Sequence, residues 1–108
     1  MDGNKIKAKV EVDDFLKILR KYGRDKVECT EHTFFRLDEA QRKIYTCEKI
    51  TEILFQTRPF LVGEQFNSNY AIFFKYNKKV LKCIISLKNN KVNIVTFYFI
   101  LEWQIPTI

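Results

Sequence analysis

Apolar residues recur with two different periods along this chain, and the change falls at Pro59. Before it the spacing is helical. In "VDDFLKILRKYG", Phe15, Leu16, Ile18 and Leu19 form one stripe, Asp13 and Asp14 suit the positive end of a helix, and Gly23 suits its stop. The β-branched and small residues of "DKVECT" predict a brief strand. Thr30 then fits the N-cap of a helix from about Glu31 to Lys43 that buries Phe34 and Leu37. Thr46 caps another, "CEKITEILFQ", in which Cys47, Ile50, Ile53 and Leu54 recur at helical spacing. Pro59 ends it, because the residue before a proline is driven out of helical conformation.

After Pro59 the period drops to two. "FLVGEQF", "YAIFFKY", "KVLKCIISL" and "KVNIVTFYFIL" are rich in aromatic and β-branched residues, with "NSN", "NK" and "KNN" as breaks. Consecutive strands on short turns predict an antiparallel meander. The fold class is therefore α+β, with N-terminal helices packed on a four- to five-stranded, mainly antiparallel sheet. With Asn77-Lys78 and Asn89-Asn90 as two-residue turns, Tyr70, Ile72, Phe74, Leu81, Cys83, Ile85, Val92, Ile94 and Tyr98 share the face towards the helices. The opposite face then carries Phe73, Lys75, Lys82, Ile84, Ser86, Asn93, Val95 and Phe97. That face is too apolar to be simply solvated. Either the first helix or the tail "EWQIPTI" covers it, or it is a binding surface.

At 108 residues the chain is one domain, long enough to bury a single core. No apolar run approaches the ~20 residues of a membrane span. The opening "MDGNKIKAKVEVDD" lacks the apolar core of a signal peptide, which predicts a soluble cytoplasmic protein with no membrane partner. Cys29, Cys47 and Cys83 are an odd set with no C-x-x-C pair, and with one histidine they make a poor metal site. Buried structural thiols are expected, and no metal or cofactor. The balance of 19 Lys and Arg against 13 Asp and Glu leaves +6. Such an excess favours phosphate backbones and acidic partners alike, although a solvated surface explains much of it.

The single histidine, His32, stands in "CTEHTFFR" with Arg36 four positions later. The order of strand, helix opening with His-x-x-x-Arg, second helix, proline and strand meander resembles a family of small domains in the RelE/ParE/BrnT-like toxin superfamily. The matching pieces are "TEHTFFR", "RKIYTCEKI", Pro59 and "VNIVTFYF", over about residues 26 to 100. The chain departs from the pattern in a longer linker between Arg36 and Ile44 and in lacking a glycine after the second basic residue. The resemblance implies a RelE-like domain over residues 25–108 with residues 1–24 as a helical extension. It also implies endoribonuclease activity on mRNA, on the ribosome or free, an acidic or helical antitoxin partner, and homodimers as an expected assembly.

Cleavage of RNA by its own 2′-hydroxyl needs a base, an acid for the leaving oxygen and cations for the phosphorane charge, and no metal. His32 fits base or acid, Arg36 fits a bidentate phosphate clamp, and Lys82 adds charge from the sheet, making these the candidate catalytic residues. Lys75, Lys78, Lys79 and Arg42 are the candidate RNA-binding residues. Against this stands a plainer reading, in which His32 packs at a strand–helix junction and Arg36 bridges to Glu39 or Glu28. A non-catalytic RNA- or protein-binding module on the same fold is the main rival. A metabolic enzyme fares worse, for want of a Gly-rich phosphate loop, paired carboxylates or a nucleophile motif. Convergence of His32, Arg36 and Lys82 in one open cleft separates the two leading expectations.

Overall fold

The structure is a computed structural model and describes residues 5–108. Strand β1 (Ile6–Val10) is followed by helix α1 (Val12–Leu19), strand β2 (Val27–Cys29), helices α2 (Glu39–Ile44) and α3 (Cys47–Gln56), and strands β3 (Leu61–Gln65), β4 (Tyr70–Tyr76), β5 (Lys79–Lys88) and β6 (Lys91–Ile100). The sheet has six strands in the order β1-β3-β4-β5-β6-β2, against the four or five expected. Every neighbouring pair is antiparallel except β2 with β6, which is parallel. The architecture is α+β. None of the helices among the described residues is long and apolar enough to cross a membrane.

Both predicted two-residue turns form. Tyr76 pairs with Lys79 and Lys88 with Lys91. The turn residues Asn77, Lys78, Asn89 and Asn90 all have φ between 50° and 64°. Left-handed backbone at both central positions matches the twist of the flanking strands, and asparagine tolerates it better than most residues. This register puts Ile72, Phe74, Leu81, Cys83, Ile85, Val92 and Ile94 on one face. There they pack with Phe15 and Leu19 of α1, Leu37, Tyr45, and Ile50, Ile53 and Leu54 of α3.

One part of the predicted face is reversed. Ile84 pairs with Thr96 but Ile85 pairs with Ile94, so Val95 is an extra residue in β6 and makes a β-bulge. Side-chain period is two, so one inserted residue exchanges the faces beyond it. Phe97 is therefore buried in the core and joined there by Phe99, whereas Tyr98 faces away from the helices. The expected placing of Tyr98 inside and Phe97 outside is corrected accordingly.

The predicted helix from Glu31 to Lys43 is also broken. Residues Glu31–Phe34 form a 3₁₀ turn and α2 starts only at Glu39. Asp38 is extended, with ψ 174°, and its side chain accepts from the Gln41 N–H at 2.7 Å while Gln41 Oε1 accepts from the Asp38 N–H at 3.0 Å. That reciprocal cap makes position 38 a helix start and prevents passage through it. Thr46 caps α3 as expected, accepting from the Lys49 N–H at 3.3 Å.

The C-terminal tail lies over part of the second face. Ala71 and Phe73 point away from the helices yet are fully buried. A β-carbon on Gly63, the partner of Ala71 in β3, would lie 2.8 Å from Ile6 and 3.2 Å from Ile108. Glycine is required there because β1 and the tail close over the strand. The open remainder of the face lies over β5 and β6.

Two of the cysteines are paired. Cys29 at the end of β2 and Cys47 at the start of α3 form a disulfide with Cα atoms 6.0 Å apart. The expectation of buried thiols holds for Cys83 alone, which is 1% exposed and whose pKa burial pushes up to about 12. Connectivity of this kind is not readable from spacing. A thiol reagent at neutral pH should find no reactive thiol in the native protein, one after denaturation, and three after denaturation with reductant. Two native thiols would refute the pairing. Opening the bond, which closes a loop of 18 residues in sequence separation, should cost about 3 kcal/mol of stability on the chain-entropy model.

Candidate functional site

The bulge in β6 builds the site. Strand β2 pairs with β6 only from Val27–Val92 to Cys29–Ile94, after which the chain turns into the 3₁₀ segment and runs on along the same edge. Here side chains replace the ladder. The Thr33 hydroxyl, fully buried, donates to the Ile94 carbonyl at 2.6 Å. His32 Nδ1 lies 2.8 Å from the carbonyl oxygen of the bulged Val95. Since a carbonyl only accepts, Nδ1 carries the proton and donates, which leaves Nε2 of the neutral ring as an acceptor. Anchoring at two adjacent carbonyls fixes the turn that carries the histidine.

The same segment presents Phe35 and Arg36 while sending Phe34 and Leu37 to the core. His32 and Phe35 have nearly parallel rings, 9° apart in plane with centroids 6.0 Å apart. The Arg36 guanidinium lies 4.0 Å above the centroid of Tyr98. Tyr98 is the cross-strand partner of Lys82, whose ammonium lies 5.8 Å from the Tyr98 ring and 5.7 Å from that of Phe73. His32, Phe35, Arg36, Lys82 and Tyr98 line one cleft of about 320 Å³, together with Gln65, Asn69, Ile84, Val95 and Thr96. The structure thus brings together His32, Arg36 and Lys82, the last from the middle of the sheet.

The electrostatics of the cleft follow from its lining. Among the described residues it is lined by two permanent cations, Arg36 and Lys82, and by no carboxylate. Glu28 forms an ion pair with Lys91, and the pairs Lys49–Glu52 and Arg58–Asp13 also lie elsewhere. Arg36 therefore stacks on Tyr98 where a bridge to Glu28 or Glu39 was the plainer expectation. At an exposed site such a cation–π contact contributes ~0.5–1 kcal/mol. It holds the guanidinium over the ring without neutralising it, and the N–H edge of the fork stays suited to a phosphate.

The four candidate RNA-binding residues are not gathered in this cleft. Lys75 is exposed on the same sheet face, its ammonium 5.6 Å from the Phe60 ring. Lys78 lies in the β4–β5 turn and Lys79 opens β5, its ammonium 5.1 Å from the Phe99 ring. Arg42 lies on the other side of Phe35, where its Nε donates to the Phe34 carbonyl at 3.1 Å. There it lines a larger cavity of about 620 Å³ with Glu31, Phe34, Phe35, Thr46 and Cys47.

Tyr98 and Phe35 are the site residues that sequence reasoning missed. A signal for Tyr98 exists in "VNIVTFYF", where Val92 and Ile94 set one apolar phase and Phe97 and Phe99 the other. Two phases in one strand require an extra residue between them. Phe35 carries no such signal, because a phenylalanine beside Phe34 and off the predicted buried stripe shows nothing of what it would face.

Among the described residues no three His, Cys, Asp or Glu side chains gather to hold a metal ion. The chain matches no family model, no curated protein and no solved structure.

Proposed function

We propose that the protein is a RelE-like, metal-independent endoribonuclease that cleaves single-stranded RNA in the cleft between the His32 turn and the β5–β6 face. The observation that carries this is the meeting of His32, Arg36 and Lys82 in one open cleft, with no carboxylate lining it among the described residues. His32 is exposed and tethered through Nδ1, the arrangement that leaves Nε2 to accept a proton. In the reaction Nε2 takes the 2′-hydroxyl proton, the 2′-oxygen bonds to phosphorus, and the bond to the 5′-oxygen breaks. Arg36 and Lys82 offset the added negative charge on the phosphorane oxygens. The Lys82 ammonium gives the leaving oxygen its proton and regains one from His32 through water. The products are a 2′,3′-cyclic phosphate and a 5′-hydroxyl.

mRNA as substrate, a homodimer and an acidic antitoxin belong to the same proposal and rest on the resemblance, and a cytoplasmic location joins them from the reading of the chain's opening residues. The Cys29–Cys47 bond pulls the other way, because disulfides persist mainly in oxidising compartments. A cytoplasmic ribonuclease would carry the pair reduced. The rival, a non-catalytic binding module, is favoured by the large exposed side chains Phe35 and Trp103.

The test is an end-labelled single-stranded RNA and the same strand with one 2′-deoxynucleotide. The expected result is cleavage leaving cyclic phosphate ends, insensitive to chelator, and lost only at the bond following the deoxynucleotide. Cleavage at the deoxy position, or loss of activity with chelator, would refute the mechanism. No cleavage of any RNA, alone or on ribosomes, would leave the binding module.

A further inference from the structure

Phe35 is shared by two cavities at the site. It lines the cleft of His32, Arg36 and Lys82, and it also lines the larger cavity with Glu31 and Arg42. The ring is 70% exposed, although its neighbours Phe34 and Leu37 are drawn into the core. His32 lies parallel to it on the cleft side and does not line the larger cavity. Folding gains little from an aromatic ring left so far in water, and Arg36 and Lys82 on the cleft side suit a polyanion.

Resting on the ribonuclease reading above, the geometry points to Phe35 as a stacking platform for a nucleobase of the RNA next to the reacting phosphate. The phosphate sits at Arg36 and Lys82, and the adjoining base lies on the outer face of Phe35 in the 620 Å³ cavity. That volume falls within the range of small-molecule sites, about 300–1,000 Å³, so a base with its sugar fits. Its lining supplies what a base edge needs, an acceptor in the Glu31 carboxylate and donors in the Arg42 guanidinium. The Arg42 Nε bond to the Phe34 carbonyl turns the fork beside the ring and leaves its terminal nitrogens as further donors. Single-stranded binders combine the same two parts, cations that follow the backbone and aromatic faces that take bases of any sequence. Phe35 is thus a binding residue shared by two adjoining subsites, and it lies outside the proton transfers.

The experiment measures binding of a short fluorescent 2′-O-methyl oligoribonucleotide, which cannot be cleaved by 2′-hydroxyl attack, over a range of salt. Phe35→Leu should weaken binding about 5- to 150-fold, the range of base–aromatic stacking energies. Its salt slope should equal that of the unaltered protein, because no phosphate contact is lost. Lys82→Ala should instead reduce the slope by about 0.7, the share of one neutralised phosphate on a single strand. Phe35→Tyr should restore affinity, which a mere loss of fold would not predict. An abasic nucleotide at the stacked position should weaken binding to the unaltered protein and change nothing further in Phe35→Leu. If Phe35→Leu binds as tightly as the unaltered protein while Lys82→Ala weakens binding, the platform is refuted and the phosphate cleft stands. If the unaltered protein does not bind the oligonucleotide at low salt, the platform and the ribonuclease reading fall together.

Discussion

Replacing His32 by alanine should lower RNA cleavage about 10²–10⁴-fold, the usual contribution of a positioned general acid–base group, with RNA affinity nearly unchanged. Affinity depends on the cations, and Arg36 and Lys82 stay in place on the Tyr98 ring. The substitution also removes the Nδ1 bond to the Val95 carbonyl, so a structural explanation needs a control. Loss of that exposed bond costs ~1 kcal/mol, too little to unfold the domain. His32→Asn is the sharper variant, because its amide can donate to Val95 and cannot act as a base near neutral pH. Single-turnover cleavage should be as low in His32→Asn as in His32→Ala, with the denaturation midpoint of the asparagine variant closer to that of the unaltered protein. Full activity in His32→Asn would remove the histidine from the chemistry and reduce it to an anchor of the bulge.

Deleting Val95 should leave the domain folded and sharply lower cleavage. The deletion removes the extra residue of β6 and restores a single side-chain phase from Lys91 to Ile100. Ile94 still pairs with Ile85 and Thr96 with Ile84, so Phe97 and Phe99 stay in the core and Tyr98 stays opposite Lys82. What is lost is the Val95 carbonyl that His32 Nδ1 bonds at 2.8 Å, and with it the anchor of the candidate base. Cleavage should fall by up to the ~10²–10⁴-fold contributed by a positioned general acid–base group. Val95→Ala keeps the residue count, the bulge and its carbonyl, and should cleave nearly as well as the unaltered protein. Circular dichroism in the near ultraviolet and denaturant titration report the fold, and single-turnover cleavage reports the anchor. A deletion variant that cleaves at the full rate would remove the bulge from the origin of the site, and one that fails to fold would show that the core depends on it.

The contrast between these two variants marks where sequence reading stops. Local chemistry was legible. Alternation from Leu61 to Ile94, the left-handed asparagines at 77 and 89–90, the Thr46 cap and the stop before Pro59 each follow from a few neighbouring residues, and the α+β order follows from them. The pairing of His32 with Arg36 was read from spacing on an α-helix that does not form. The two share a cleft because a 3₁₀ turn and the residues after it lie along the edge of β6. Strand β1 carried a signal that went unread, the alternation of lysine with Ile6, Ala8 and Val10.

Other features were decided only by distant parts of the chain meeting. The bulge at Val95 is stabilised by Thr33 and His32, some sixty residues away, whose side chains bond the carbonyls of Ile94 and Val95. The parallel pairing of β2 with β6, the Cys29–Cys47 bond and the closure of Ile108 over Gly63 likewise join segments that no local period connects. Periodicity reports which face of a strand is apolar, whereas a one-residue change of phase depends on which partner satisfies the backbone at that point. Tyr98 reached the candidate site through that change of phase, and Lys82 met Arg36 across its ring only because the tertiary structure placed them there.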